Sequence, residues 1–323
     1  MKPVGIVLGT KEATPLEFWV GVDGGNPIQL DDVIVVSSRL EGSGKEIKFY
    51  GLVHEVKKYL EGIDLTYEER LVTDGIVPAN IAYVARVMVT RIEPEVFVPP
   101  TPGDPVYRAK GKELEKALYY DNMKSKIPAG ISRSGDVVYL NYDFLNGREG
   151  AHVSISGMSG VATKTSYALF LLYSIFQKAD DRNRIHGLIF NVKGKDLLWI
   201  DKKNKKFGKN FEEDFMKMGL EPKPFGNVGF FAPPEMPGSN VPATKDRLDS
   251  VQPYCWSMKE FAQEGLLRFL FAEGDEGTSS LHYVIDRVSE KLQQLAKDSP
   301  PDILIDENGR EIGSLQELLN ILY

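Results

Sequence analysis

The chain has 323 residues, 42% hydrophobic and 26% charged, with a formal net charge of −7. Those fractions belong to a folded globular protein of more than one domain, and no run of about 18 apolar residues is present, which excludes a helical membrane span. A lone cysteine, Cys255, excludes an internal disulfide and makes a reducing cytoplasm the expected compartment; the acidic balance excludes nucleic-acid binding through overall charge, though not through a local basic lining.

From the N-terminus the pattern is one of short strands. Val4–Leu8, Glu17–Val22, Asp32–Val36, Lys48–Val53 and Tyr83–Val89 are rich in β-branched and aromatic residues. Turn signals such as Asp23-Gly24-Gly25-Asn26-Pro27 and Glu41-Gly42-Ser43-Gly44 separate them. Strands at this spacing predict a small closed β-barrel over residues 1–105. Glu55–Glu69 is a charged stretch readable as a helix or a long hairpin loop. No catalytic constellation is visible in this region, and aromatics interleaved with basic residues are not evident. The barrel therefore reads as an assembly or docking module, with His54 structural.

Residues 106–150 form a linker and lead-in. The segment Phe97–Pro105 holds four prolines in nine residues, so it is extended and cannot be sheet interior. Lys110–Met123 carries helical spacing, Val137–Leu140 reads as a strand, and Asp143-Phe144-Leu145 leads on to the next domain.

Residues 151–323 hold the most informative stretch. His152–Ile155 reads as a strand, Gly157-Met158-Ser159-Gly160-Val161-Ala162-Thr163 as a glycine-rich loop, and Lys164-Thr165-Ser166 as the start of a helix. Strand, loop and helix in that order let bare backbone N–H groups and a helix N-terminus cradle phosphates. In a loop of this kind the lysine meets the outer phosphates and the next hydroxyl holds Mg2+. The usual Gly-x-x-x-x-Gly-Lys-Ser/Thr pattern is modified here, because Thr163 stands where the second glycine belongs. The other reading is a strand-to-helix turn with a surface lysine.

Thr165–Lys178 is apolar around much of a helix, Asp180–Arg184 is a polar turn, and His186–Val192 is a continuous apolar run of the kind buried parallel strands show. Together these predict a βαβ unit. Lys193, Lys195, Lys202, Lys203, Lys205, Lys206 and Lys209 form the one dense basic run. It is either a solvated loop or, at Lys202, Lys203, Lys205 and Lys206, a set of DNA phosphate contacts. Trp199, near Asp201, is placed either at a strand end or beside a channel.

Further on, Val228–Phe231 reads as a strand, and Ser257–Glu273 and Ser280–Lys297 as two helices forming an insertion at about 257–298. Cys255 beside Trp256 reads as a buried thiol. His152, His186 and His282 lack metal-ligand spacing and read as structural. Ile303-Leu304-Ile305-Asp306-Glu307 resembles a strand ending in the acid pair of P-loop ATPases, but Asn308-Gly309 makes a hairpin the stronger expectation. Ser314-Leu315-Gln316-Glu317 opens a last helix as a capping box. That helix stops while still apolar, so the sequence is expected to be an N-terminal fragment whose acidic strand lies beyond Tyr323.

Two stretches carry a family resemblance: Val4-Gly5-Ile6-Val7 through Gly51-Leu52-Val53-His54-Glu55-Val56, and Ile127-Pro128-Ala129-Gly130-Ile131 through His152–Gly160. In these the chain resembles the bacterial branch of the HerA family of HerA/FtsK ring ATPases. The resemblance implies a multidomain protein, an N-terminal β-barrel followed by an α/β P-loop (RecA-like) core with a helical insertion. It implies a homohexamer that binds ATP and Mg2+, translocates double-stranded DNA and works with a nuclease or a phage-defence effector. It implies that Lys164 is catalytic, contacting the β- and γ-phosphates, that Thr165 holds Mg2+ through its hydroxyl, and that Gly157, Ser159, Gly160, Val161, Ala162, Thr163 and Ser166 complete the nucleotide-binding loop. The acidic strand and the arginine finger of the family have no match here. A nucleotide-binding scaffold that organises a partner enzyme with little turnover is therefore the second expectation. A rotary-ATPase-like subunit and a free-standing oligonucleotide-binding barrel rank below both.

Overall fold

A computed structural model describes residues 2–40, 42–62, 66–158, 163–191, 196–236, 239–271 and 280–322. The chain divides into two units, residues 1–188 with 205–223, and residues 189–204 with 224–323.

The first unit begins with the barrel. Its strands are β1 (Gly5–Val7), β2 (Glu17–Val22), β3 (Val33–Arg39), β4 (Glu46–Leu60), β5 (Ile81–Glu93) and β6 (Pro105–Arg108), with helix α1 (Thr66–Thr73) between β4 and β5. They close in the order β1-β2-β5-β4-β3-β6. Alternate residues point inward, as the period of a strand requires: Phe18 and Val20, Ile34 and Val36, Ile47 and Phe49, and Val87 from the neighbouring β5. These apolar side chains fill the interior, so the barrel is a packed core and encloses no ligand chamber. Two register shifts in β4, at Tyr50/Gly51 and Val53/Glu55, bend it around the barrel. Gly51 is required at the first, because a Cβ there would meet Val87 Cγ1 at 2.5 Å and the Met88 carbonyl oxygen at 2.8 Å.

The barrel closes through β6, which pairs with both β1 and β3; its first residue is Pro105, the last of the proline-rich segment, which enters the sheet opposite Ile6 against expectation. The stretch from Glu55 to Glu69, expected as a helix or a long hairpin loop, instead continues β4 to Leu60 and is helical from Thr66, in α1. Helix α2 (Lys112–Ala117) covers the outer wall, placing Ala117 on Val35 and Tyr50. Lys48–Glu113 at 2.8 Å and Arg91–Asp121 at 2.8 Å flank that contact.

An antiparallel hairpin follows, β7 (Lys126–Ile131) and β8 (Val137–Asn141). Then come helix α3 (Thr163–Lys178) and, after the excursion into the second unit, helix α4 (Lys209–Lys217). Ile127, Tyr142, Leu171 and Ala179 form the core shared by the hairpin and α3.

The second unit holds a short parallel pair, β9 (Phe230–Ala232) and β10 (Val251–Pro253), over Leu198. Its helices are α5 (Met258–Gln263), α6 (Ser280–Asp298) and α7 (Leu315–Leu322). The expected helix from Ser257 to Glu273 is interrupted: Ser257 and Glu260 form a full capping box for α5, Gly265 turns left-handed at φ 63°, and Leu266–Phe271 continues as a 3-10 helix. The expected insertion packs with the segments that follow it, Ala262, Leu292 and Ala296 against Leu304, Ile312 and Leu318.

Two expected strands are absent. His152–Ile155 and the described part of the second run, residues 186–191, are irregular, so the described residues form no βαβ unit around α3; Val192 lies outside the described residues. Among the described residues no hydrogen bond involves the main chain of 186–191. Leu188 is 81% exposed and Phe190 80%. A run of apolar, β-prone residues becomes a strand only when a neighbour takes up its N–H and C=O groups, and neither run has one here. Cys255 is exposed, correcting its reading as a buried thiol. Its neighbours Tyr254 and Trp256 are exposed as well, because the chain leaves β10 at Pro253 before α5 begins.

Candidate phosphate site

Helix α3 is held from its middle and its end. Ser174 Oγ donates to the Pro128 carbonyl at 2.7 Å, Tyr173 OH donates to the Glu221 carbonyl at 2.7 Å, and Leu171 is buried in the shared core. Tyr142 OH donates to Asp181 Oδ1 at 2.7 Å just past the helix. Burial, then the hydrogen bond to Asp181, push the Tyr142 hydroxyl up to about 12. These contacts leave the first turn of α3 projecting, with Thr163, Thr165 and Ser166 exposed.

That first turn carries no acidic residue, so no carboxylate within it opposes the positive end of the helix dipole. Lys164 folds back across the incoming chain. Its Nζ donates to the Gly157 carbonyl at 2.8 Å and the Met158 carbonyl at 3.2 Å. Gly157 leaves room for the stem of this lysine, since a Cβ there would come within 3.3 Å of Lys164 Cγ. The structure therefore brings Gly157, Lys164, Thr165 and Ser166 to one end of α3, with Thr163 beside them. Ser159, Gly160, Val161 and Ala162 lie outside the described residues. A lysine ammonium, a helix N-terminus and a hydroxyl are the donor set that a polyphosphate with a divalent cation requires.

The acid pair is placed elsewhere in function as well as in sequence. Ile305 and Glu311 bridge antiparallel across the Asn308-Gly309 turn, with Gly309 at φ 77°. Asp306 Oδ1 accepts from the N–H groups of Asn308, at 2.9 Å, and Arg310, at 2.7 Å. Its carboxylate holds a hairpin turn, and Glu307 pairs with Lys291 at 3.1 Å.

Of the basic run, Lys202, Lys203, Lys205 and Lys206 are all exposed. Lys202 and Lys203 belong to the second unit, Lys205 and Lys206 to the first. Lys193 and Lys195 lie outside the described residues. His152, His186 and His282 are exposed, and the described residues contain no cluster of side chains able to hold a metal ion. No described helix is long and apolar enough to cross a membrane.

One centre escapes sequence reading. Arg247 is the largest fully buried side chain. Its guanidinium donates bidentately to Asp201, at 2.6 and 2.9 Å, and also to the carbonyls of Leu198 and Asp249. The rings of Trp199 and Phe230 lie 5.2 and 4.5 Å from it. Trp199 is thus a wall of this centre. Four hydrogen bonds from Arg247 are directed to these partners, so the arginine fastens the 198–201 segment to β9 and to the loop before β10. No spacing rule links positions 46 residues apart.

The Arg247 hydrogen bond holds the Asp201 carboxyl below the usual carboxylate range. A depressed folded-state value means stability present above the unfolded value of 3.8 and lost as pH falls through the lower folded one. Thermal melts of the wild type and Asp201→Asn should therefore differ at neutral pH and converge below 3.8. A gap that persists undiminished to about pH 2 would show that the pair contributes no ionic stabilisation.

The sequence matches no model of a known protein family and no curated protein.

Proposed function

We propose that the chain is the ATP-binding subunit of a cytoplasmic ring ATPase resembling the HerA DNA translocases. In this reading the barrel assembles a homohexamer, and the region after residue 150 supplies an α/β P-loop, RecA-like core with its helical insertion. The track is double-stranded DNA and the partner a nuclease or defence effector. The observation that supports it is the position of Lys164, at the start of α3 and folded over the carbonyls of Gly157 and Met158. A phosphate-binding lysine at the start of such a helix faces the loop that precedes it, and Lys164 has that position.

Lys164 and Gly157 would hold the phosphates and Thr165 the Mg2+. Mg2+ supplies charge neutralisation between the phosphates when bound. Lys164 adds a second positive charge from the protein, and the N-terminus of α3 orients both. The alternative is a nucleotide-binding scaffold with little turnover. It is favoured by Asp306, which is committed to a turn, and by the absence of an acid at the ends of β9 and β10, which are Ala232 and Pro253.

Calorimetric titration with a non-hydrolysable ATP analogue and Mg2+ tests the reading. The wild type should bind, and Lys164→Ala should bind about 10- to 100-fold more weakly, the range for loss of a charged hydrogen-bond donor. Equal binding by both proteins, or none by the wild type, would overturn it. With binding established, DNA-stimulated hydrolysis supports the translocase, and a flat, negligible rate supports the scaffold.

A further inference from the structure

The stretch Lys205-Lys206-Phe207-Gly208-Lys209-Asn210-Phe211 alternates basic and aromatic residues. In the structure it becomes a platform. The rings of Phe207 and Phe211 stack at 5.7 Å with 29° between their planes. Phe207 meets Phe215 edge-on at 5.3 Å, and Phe215 meets Phe170 of α3 edge-on at 5.8 Å. The ladder is thus anchored on α3 and rises outward to Phe211, which is 57% exposed. A ring in that position presents an open π face whose orientation is fixed by the rings beneath it.

Charge surrounds the same point. Lys205, Lys206 and Lys209 are exposed. They lie at the N-terminal end of α4, whose cap, Gly208, supplies no side-chain acceptor. Glu212 stands in the first turn of α4 itself and Glu213 and Asp214 follow, so the lysines precede the ring along the chain and the acids come after it. An exposed aromatic for a base and lysines for the adjoining phosphates are what an unpaired nucleic-acid strand recognises. A duplex keeps its bases stacked inside and can use only the lysines.

We propose that Phe211, supported by Phe207 and flanked by Lys205, Lys206 and Lys209, binds single-stranded nucleic acid by stacking a base. The proposal concerns the first unit alone and does not depend on nucleotide binding at Lys164. It differs in kind from a backbone contact to double-stranded DNA, because the aromatic ring, and not the charge, selects the ligand.

Fluorescence anisotropy of the full chain with a labelled oligothymidylate and a labelled duplex tests it. The single strand should bind more tightly. Phe211→Ala should weaken it about tenfold with little change in salt dependence, the expected effect of losing one stacked base, while Phe211→Trp should retain it. Replacing Lys205, Lys206 and Lys209 together by glutamine should flatten the salt dependence. Equal affinity for duplex and single strand with Phe211→Ala silent would overturn the proposal, as would absence of oligothymidylate binding. Phe211 is exposed, so circular dichroism of Phe211→Ala should match the wild type and exclude unfolding as the cause.

Discussion

Arg247→Ala is expected to cost about 3–5 kcal/mol of stability in the second unit. The side chain is fully buried, and its removal strands Asp201 with a charge that two of its hydrogen bonds now satisfy. It also opens a cavity between Trp199 and Phe230 and releases the carbonyls of Leu198 and Asp249. The penalty arises from the orphaned partners more than from the lost pair. Arg247→Leu combined with Asp201→Leu should therefore recover the part of the loss due to the stranded carboxylate and the cavity, and leave the part due to the two released carbonyls. Chemical denaturation monitored through tryptophan emission would follow it, since Trp199 borders the centre. A single variant within about 0.5 kcal/mol of wild type would show that the buried arginine is not the fastener described here.

Phe49→Ala should be comparably damaging, about 3–5 kcal/mol. Phe49 lies at the barrel centre with no exposed surface, among Phe18, Val36, Ile47 and Val87. A closed barrel cannot shift one strand to refill the hole without breaking ladders on both sides, so little of the cavity can collapse. The loss should appear as a lower denaturant midpoint with an unchanged slope. Trp19→Ala offers the contrast. Trp19 is on the outer face beneath Lys57 and Arg86, and its loss removes surface contacts without opening the interior.

The barrel was legible in the sequence because its information is local. Phe18 and Val20, or Ile34 and Val36, alternate with outward residues, and that period survives whatever the strand pairs with. The same holds for α3 and α6, whose apolar spacing is internal to each helix, and for the Asp306–Arg310 turn, where Asn308-Gly309 dictates the backbone. The run His186–Asn191 was misleading for the opposite reason. Its composition is that of a buried strand, but strand formation depends on a neighbour, and composition does not say whether one is there.

The functional residues divide along the same line. Lys164 and Gly157 could be singled out as candidates because a phosphate loop, as proposed here, would be a contiguous motif at the start of a helix. Phe211 could be suspected from the alternation of lysine and phenylalanine, yet only packing on Phe207 and Phe215 makes it a platform. Arg247 with Asp201 could not be found at all, since two charged residues distant in the chain look like ordinary surface until folding buries one against the other. By itself the sequence determined the barrel strands, helices α3 and α6, the Asn308-Gly309 hairpin and the place of the candidate phosphate loop, all of them set by interactions a few residues apart. Tertiary structure alone decided which strand closes the barrel, which apolar runs pair, and which charge is buried, because each depends on what long-range folding brings alongside.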